Sequence, residues 1–345
     1  MRSELSMSKS APERAFFAEN GSKLEPLLIK TLCEPILPYI PASVHPNTIT
    51  VVTHLIAWTT AILAVVSPHL PPFQQAMALI GAGIGMFLSM LGDCLDGLHA
   101  RRTNQCSKLG ELLDHWLDAM VVPLATIGMS AALQMAPWSM VTVNITVAMI
   151  YSAQLVLYHH TGRFIAPEPA SGPEGQFGIS LGYVALAGFF YYFDRHQPWL
   201  DLAMAALAAA ATFVQLKCTA FYFPKLGRKV IEHVWFVLPC AGFGAAYLLG
   251  FLDLHVFLFT VVFTSFRVCG TYVLRTIVRE RYNGFDGIIF ASVALIFAVH
   301  YGLRPAPIGN LRIENLIAAG ACLYAVTRNF WDFSRHYRSL KPRAT

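Results

Sequence analysis

Between residues 48 and 333 the chain alternates long apolar runs with short polar breaks. A helix that crosses a bilayer needs about 17–25 mainly apolar residues. Runs of that length fall near 48–66, 73–97, 110–135, 138–161, 177–193, 199–223, 230–252, 254–279, 285–302 and 313–333. They predict an all-α, polytopic membrane bundle of about ten transmembrane helices. The fifth run is short, and the eighth carries Arg267 near its middle, where a charge requires an acid, a carbonyl or a lipid phosphate beside it. Residues 23–41 mix charges with leucines and are broken by prolines, which suits an amphipathic helix lying on the membrane surface rather than a span. His45-Pro46-Asn47-Thr48 then reads as a turn and helix cap. Residues 1–22 are polar, so poor order is expected there, and no early apolar core suggests a cleavable signal peptide. No repeat and no separate soluble domain is evident.

Composition agrees with the pattern. The chain is 55% hydrophobic and only 13% charged, whereas a soluble domain carries roughly 25% charged residues. The seven cysteines are scattered without a CxxC pair, which argues against a disulfide framework or a zinc site. The net charge of +5 is informative through its distribution. With ten spans and a cytosolic N-terminus, all Lys and Arg except Arg195, Arg304 and Arg312 fall on the cytosolic side. The charge is therefore a signature of membrane orientation and not of nucleic-acid binding. Both termini and the polar turn near 98–109 are placed in the cytosol.

That turn carries the candidate chemistry. Asp93-Cys-Leu-Asp96-Gly97-Leu-His-Ala100-Arg101 ends the second run, and Gly110-Glu111-Leu-Leu-Asp114-His115-Trp-Leu-Asp118 opens the third. On helices, Asp93 and Asp96 share one face, and Glu111, Asp114, His115 and Asp118 form one stripe at i, i+3, i+4 and i+7. If the two helices are antiparallel neighbours, both sets of carboxylates enter one cleft. Four aspartates at close range need a counter-charge. Oxygen-rich, thiolate-free ligands select Mg²⁺, Mn²⁺ or Ca²⁺, and two such ions about 3.5–4 Å apart suit displacement at phosphorus. Gly97 and Gly110 let a group approach the backbone, Ala100 keeps that face thin, and Arg101 and Arg102 can grip a diphosphate. His115 alone in the stripe has an ordinary pKa near neutrality, so it is a candidate general base, with Glu111 to orient it. Singly, each aspartate could be a helix cap and His115 a bonded interior histidine; the conjunction points to a metal-phosphate site.

Asp93-x2-Asp96-Gly97-x2-Ala100-Arg101-x8-Gly110-x3-Asp114-x3-Asp118 resembles the signature of the CDP-alcohol phosphotransferase family at every fixed position. The resemblance implies transfer of a phospho-alcohol from a CDP donor to an alcohol, with release of CMP. It implies Asp93, Asp96, Asp114 and Asp118 as ligands of two divalent metals, Mg²⁺ or Mn²⁺, and Gly97, Ala100 and Arg101 around the nucleotide and diphosphate. A six-helix core, here 48–223, and a homodimer are further family traits. Residues 224–345 would then be additional helices and a possible dimer interface. Ala100-Arg-Arg-Thr-Asn104, Leu109-Gly-Glu-Leu112, Asp114-His115 and His45-Pro-Asn-Thr-Ile-Thr50 are similar to the choline/ethanolamine phosphotransferase branch, as is Thr161-Gly162 followed by Glu174-x-Gln176. In that branch His115 and Glu111 would activate the acceptor, with Asp118 the next candidate, and Glu174 would join the substrate loop. Trp116, Leu117 and Ala119 depart from its small polar residues, and so does His159-His160, which reads as an interfacial pair.

The expected reaction takes phosphocholine or phosphoethanolamine from CDP-choline or CDP-ethanolamine to diacylglycerol at the cytosolic face. The rival within the family uses CDP-diacylglycerol and a small acceptor such as inositol, serine or glycerol phosphate. A cation transporter is the rival from another class, but its acids belong near the midplane on broken helices. The absence of a retention signal or a long lumenal loop favours a bacterial cytoplasmic membrane over an endoplasmic reticulum.

Overall fold

The computed structural model describes residues 22, 24–162, 172–192, 198–303 and 312–340. The expectation of poor order over residues 1–22 lies outside them except at residue 22, and so do the positions of Arg195 and Arg304. Among the described residues every regular element is helical.

The segment expected as one amphipathic helix is a broken run: Leu24–Leu28, a π stretch Ile29–Cys33, then Glu34–Ile36 and the 3₁₀ turn Leu37–Tyr39. Pro35 and Pro38 open the last two pieces. Each removes a backbone donor, so the helix cannot keep one register. Leu28 and Cys33 of this run are buried against Met90 and Leu91.

Ten longer helices follow: α1 Pro46–Val66, α2 Pro72–Arg102, α3 Lys108–Ala132, α4 Pro137–Thr161, α5 Gly172–Tyr192, α6 Pro198–Leu226, α7 Val230–Leu248, α8 Leu254–Ile277, α9 Gly287–Ala298 and α10 Ile313–Leu340. Each expected apolar run lands in one of them. Pro46, Pro72 and Pro137 occupy first turns, where a fixed φ and a missing N–H cost nothing. The His45 side chain caps α1 by accepting from the Asn47 N–H at 3.2 Å, and Ser107 caps α3 by accepting from the Gly110 N–H at 3.0 Å. Among the described residues, six stretches are by length and composition long and apolar enough to cross a membrane: Pro46–His69, Pro72–Arg102, Lys108–Ala132, Pro137–Thr161, Thr212–Leu248 and Leu254–Ile277. The figure of ten is thus matched by helices but not by spans. The apolar stretch Gly287–Leu303 is shorter, and α10 carries Glu314, Arg328, Asp332, Arg335 and Arg338 along its length.

The packing order differs from the simplest expectation. α2 and α3, although joined by a short turn, do not pack along their lengths; α1 lies against both. Gly85 and Gly92 of α2 explain this. A side chain at either would overlap the Thr60 or Thr53 hydroxyl of α1, so the two backbones approach closely only because these positions are bare. α3 packs on its other side against α8, which also meets α4, α7 and α10. One apolar core joins α3, α4 and α6 to α10; a smaller one joins Ala64, Leu79, Ala132, Tyr183 and Phe190 at the other end of α1, α2, α3 and α5.

Arg267 finds acids, not lipid. Its Nε donates to Asp286 at 2.8 Å and a terminal nitrogen donates to Asp332 and Asn329, both at 2.9 Å. Tyr324 OH and the backbone N–H groups of Ile288 and Ile289 also serve Asp286. Arg267 is 6% exposed and Asp332 2%, so removing the cation strands buried carboxylates. Arg267→Met is expected to cost on the order of 3 kcal/mol, read as a lower melting midpoint in detergent, with much of it restored by adding Asp286→Asn.

Candidate active site

The acid stretch forms the site from three helices, not two. Oxygens of Asp93 and Asp96 on α2 and of Asp114 on α3 lie within 4.8 Å of one another. A second group, His54 of α1 with Asp93 and Asp118, meets the same limit, so Asp93 belongs to both. Asp96 is buried and the other three aspartates are half-buried. α1 organises both arms through one turn. The Thr50 hydroxyl donates to Asp96 Oδ2 at 2.5 Å. The Thr50 carbonyl accepts from His54 Nδ1 at 2.7 Å, and His54 Nε2 faces Asp118 Oδ1 at 3.3 Å. Carboxylates of α2 and α3 thus meet beside α1, which packs against both helices.

These residues fit divalent cations. Among the described residues, no Lys or Arg forms an ion pair with any of the four aspartates; the basic group beside them is His54, whose Nε2 lies 3.3 Å from Asp118 Oδ1. Asp93 Oδ1 is buried and has no hydrogen-bond partner. A buried carboxylate oxygen without donor or counter-charge is costly, and an oxygen-dominated donor set of this kind matches hard cations.

His115 lies buried one turn below the Glu111 carboxylate. Tyr151 OH donates to its carbonyl at 3.0 Å, and the Tyr158 ring meets its imidazole edge-on at 5.9 Å. Tyr158 OH donates to Glu111 Oε1 at 2.5 Å. The link between Glu111 and His115 thus runs through an α4 tyrosine that the sequence pattern did not single out. Trp116, next in the chain, stacks between Phe266 and Phe333 with centroids at 5.1 and 5.6 Å, and a side chain at Gly270 would overlap its indole. The bulky residue that departs from the branch pattern thereby wedges α3 against α8 and α10.

The remaining residues divide. Gly97 is where the Arg101 guanidinium folds back along α2; a Cβ there would lie 3.4 Å from it. Ala100 is half-buried on the same helix, and Arg101 is exposed. Gly110 makes room for Asn47 of α1, whose Oδ1 would be 3.1 Å from a Cβ. Arg102 donates to the Leu37 carbonyl and holds the N-terminal run, while His99 Nε2 pairs with the Val44 carbonyl at 2.8 Å in the turn before α1. Glu174 is also placed there: its Oε1 accepts from Ser22 Oγ at 2.8 Å and from Leu24 N at 3.1 Å. The His159-His160 pair, at the end of α4, bonds to neighbouring helices. His159 Nδ1 meets Thr276 Oγ1 at 2.9 Å, its Nε2 accepts from Tyr282 N at 3.3 Å, and His160 Nε2 meets Glu232 Oε2 at 2.7 Å.

A family model described as CDP-alcohol phosphatidyltransferase matches residues 43–216, half of the chain. Among curated relatives, cholinephosphotransferase 1 of Rattus norvegicus is 36% identical over 101 residues, 29% of this chain and 25% of the relative. Its Homo sapiens counterpart is 32% identical over 127 residues, 36% and 31% of the two chains. That of Saccharomyces cerevisiae is 31% identical over 105 residues, 30% and 26%. The chain matches about a quarter to a third of the length of these relatives. All three organisms are eukaryotes, which points away from the bacterial membrane favoured above.

Proposed function

Because the chain belongs to the CDP-alcohol phosphatidyltransferase family, we propose that it is a phospholipid-synthesising transferase that moves phosphocholine or phosphoethanolamine from the CDP derivative to diacylglycerol and releases CMP. The observation that carries the reading is the meeting of Asp93, Asp96, Asp114 and Asp118 in one space, with a buried Asp93 oxygen left unpartnered.

In this reading Asp93, Asp96, Asp114 and Asp118 hold two divalent ions, Mg²⁺ or Mn²⁺. When bound, these ions supply the positive charge that a diphosphate and a departing CMP require. The protein's own groups do the rest. Thr50 fixes the Asp96 carboxylate, and His54 stands beside Asp118 from α1. Arg101, laid along Gly97, grips the diphosphate from the open side, and Gly97 and Ala100 leave room for the nucleotide. An imidazole nitrogen of His115 takes the proton of the diacylglycerol hydroxyl as that oxygen attacks phosphorus. Glu111 and Tyr158 hold the imidazole in place, and the aromatic wedge at Trp116 keeps α3 from rotating away. Arg102 and Glu174 act at one remove from the substrate by fixing the N-terminal run over the site. The same reading keeps about ten spans, an interfacial N-terminal run, a catalytic core over 48–223 facing the cytosol, and a homodimer.

The test is CMP release by the purified chain in diacylglycerol-containing nanodiscs. CDP-choline or CDP-ethanolamine should support turnover. Turnover only with CDP-diacylglycerol plus inositol, serine or glycerol phosphate would reverse donor and acceptor and sink the proposed headgroup. No CMP from any donor would remove the enzyme.

A further inference from the structure

We propose that His54 is itself a metal ligand, so that one metal position in this site has a nitrogen donor and the other has oxygen alone. The inference rests on the metal-dependent reading above and goes beyond its four aspartates.

His54 is 3% exposed, in the middle of the apolar α1. Its Nδ1 lies 2.7 Å from the Thr50 carbonyl oxygen. A carbonyl can only accept, so Nδ1 carries the proton. In the neutral ring the lone pair is then on Nε2, the nitrogen that faces the aspartates. Nε2, an Asp93 oxygen and an Asp118 oxygen lie within 4.8 Å of one another. An imidazole that donates one N–H to a backbone carbonyl and offers its other nitrogen to carboxylates has the arrangement of metal-ligating histidines.

The competing account is a plain ion pair between protonated His54 and Asp118. Their separation of 3.3 Å argues against it. A charge-assisted N–H···O bond closes to about 2.7–2.9 Å. The gap fits two donors turned toward a common third body. Asp93 supports this, because its buried Oδ1 has no donor and it is common to both groups. The second group, Asp93, Asp96 and Asp114, contains only carboxylates. The two positions therefore differ in kind. Carboxylates alone suit Mg²⁺, Ca²⁺ and Mn²⁺, while an imidazole tilts a site toward transition metals. The position at His54 should discriminate against Mg²⁺ more strongly than its neighbour does.

The test uses Mn²⁺ alone, bound to the full chain in nanodiscs, and pulsed EPR as the readout. Wild type should show nitrogen coupling to Mn²⁺ that changes isotope pattern when histidine is ¹⁵N-labelled. H115Q, altering the other histidine of the site, should keep the coupling, which assigns it without touching His54. H54Q and H54N should lose the coupling yet still bind Mn²⁺ at the oxygen position, with Mn²⁺ preference over Mg²⁺ falling about tenfold. Mn²⁺ bound to wild type without histidine coupling overturns the inference and leaves the aspartate site standing. Coupling that vanishes in H115Q, or survives in H54Q and H54N, also overturns it. No Mn²⁺ binding to wild type would sink both this inference and the metal-dependent reading on which it rests.

Discussion

Asp93→Asn is expected to abolish CMP release, with a rate loss on the order of 10³-fold or more, equivalent to about 4 kcal/mol of transition-state stabilisation. Asp93 is common to both ligand groups, so in the two-metal reading the change would weaken both positions together. Asp118→Asn touches one group and should cost less. The stability effect should run the other way. Neutralising one of four crowded carboxylates relieves their mutual repulsion, and asparagine keeps the shape. Without divalent ions, Asp93→Asn should therefore melt at or above the wild-type midpoint. Added Mg²⁺ should raise the wild-type midpoint more than that of the variant, because a bound ion stabilises the folded state by mass action. An Asp93→Asn enzyme with near-normal rate would end the role of this carboxylate. A melting midpoint far below wild type would mean instead that Asp93 serves the fold.

His115→Ala is expected to lose about 10²–10⁴-fold in turnover, the usual contribution of a positioned general base, while affinity for the CDP donor changes little. The separation follows from position. In the proposed reading Arg101 and the aspartates grip the donor, whereas the imidazole meets the Tyr158 ring of α4, whose hydroxyl binds Glu111. Single-turnover rates and donor binding, measured on the same preparation, divide the two effects. If turnover persisted, the proton would have another acceptor, and Asp118 on the same stripe is the next to test. If donor binding collapsed as well, His115 would be holding the cleft rather than taking the proton.

The sequence carried the site's carboxylates because their information is local. Helical spacing alone puts Asp93 with Asp96 and Glu111 with Asp114, His115 and Asp118. It also showed that Arg267 needed a partner, since an unpaired guanidinium in an apolar run is costly anywhere. What it did not carry depends on contacts between distant residues. Thr50 and His54 sit in an apolar run, where either one reads as an ordinary residue bonded to its own helix. Their role follows from the way Gly85 and Gly92 seat α1 against α2. A short connection suggested that α2 and α3 pack together, but two arms of acids gain nothing from close contact, and α1 intervenes. Tyr158 was missed because one tyrosine at a helix end is common. Its hydroxyl matters only through the 47 residues that separate it from Glu111. Asp286 and Asp332 as the partners of Arg267 were hidden for the same reason.

The Arg267 cluster also sets an order of events during synthesis. The guanidinium is in α8, while its partners Asp286 and Asp332 follow it by 19 and 65 residues. As the chain emerges, the cation enters an apolar helix before either counter-ion exists. Asp286 arrives with the start of α9, and Asp332 only with α10. Until α10 docks, Arg267 lacks one of its two counter-ions, and α8 is the helix against which α3 rests. The helix that carries Asp114 and Asp118 thus rests on a neighbour whose buried charge is balanced only by segments made after it.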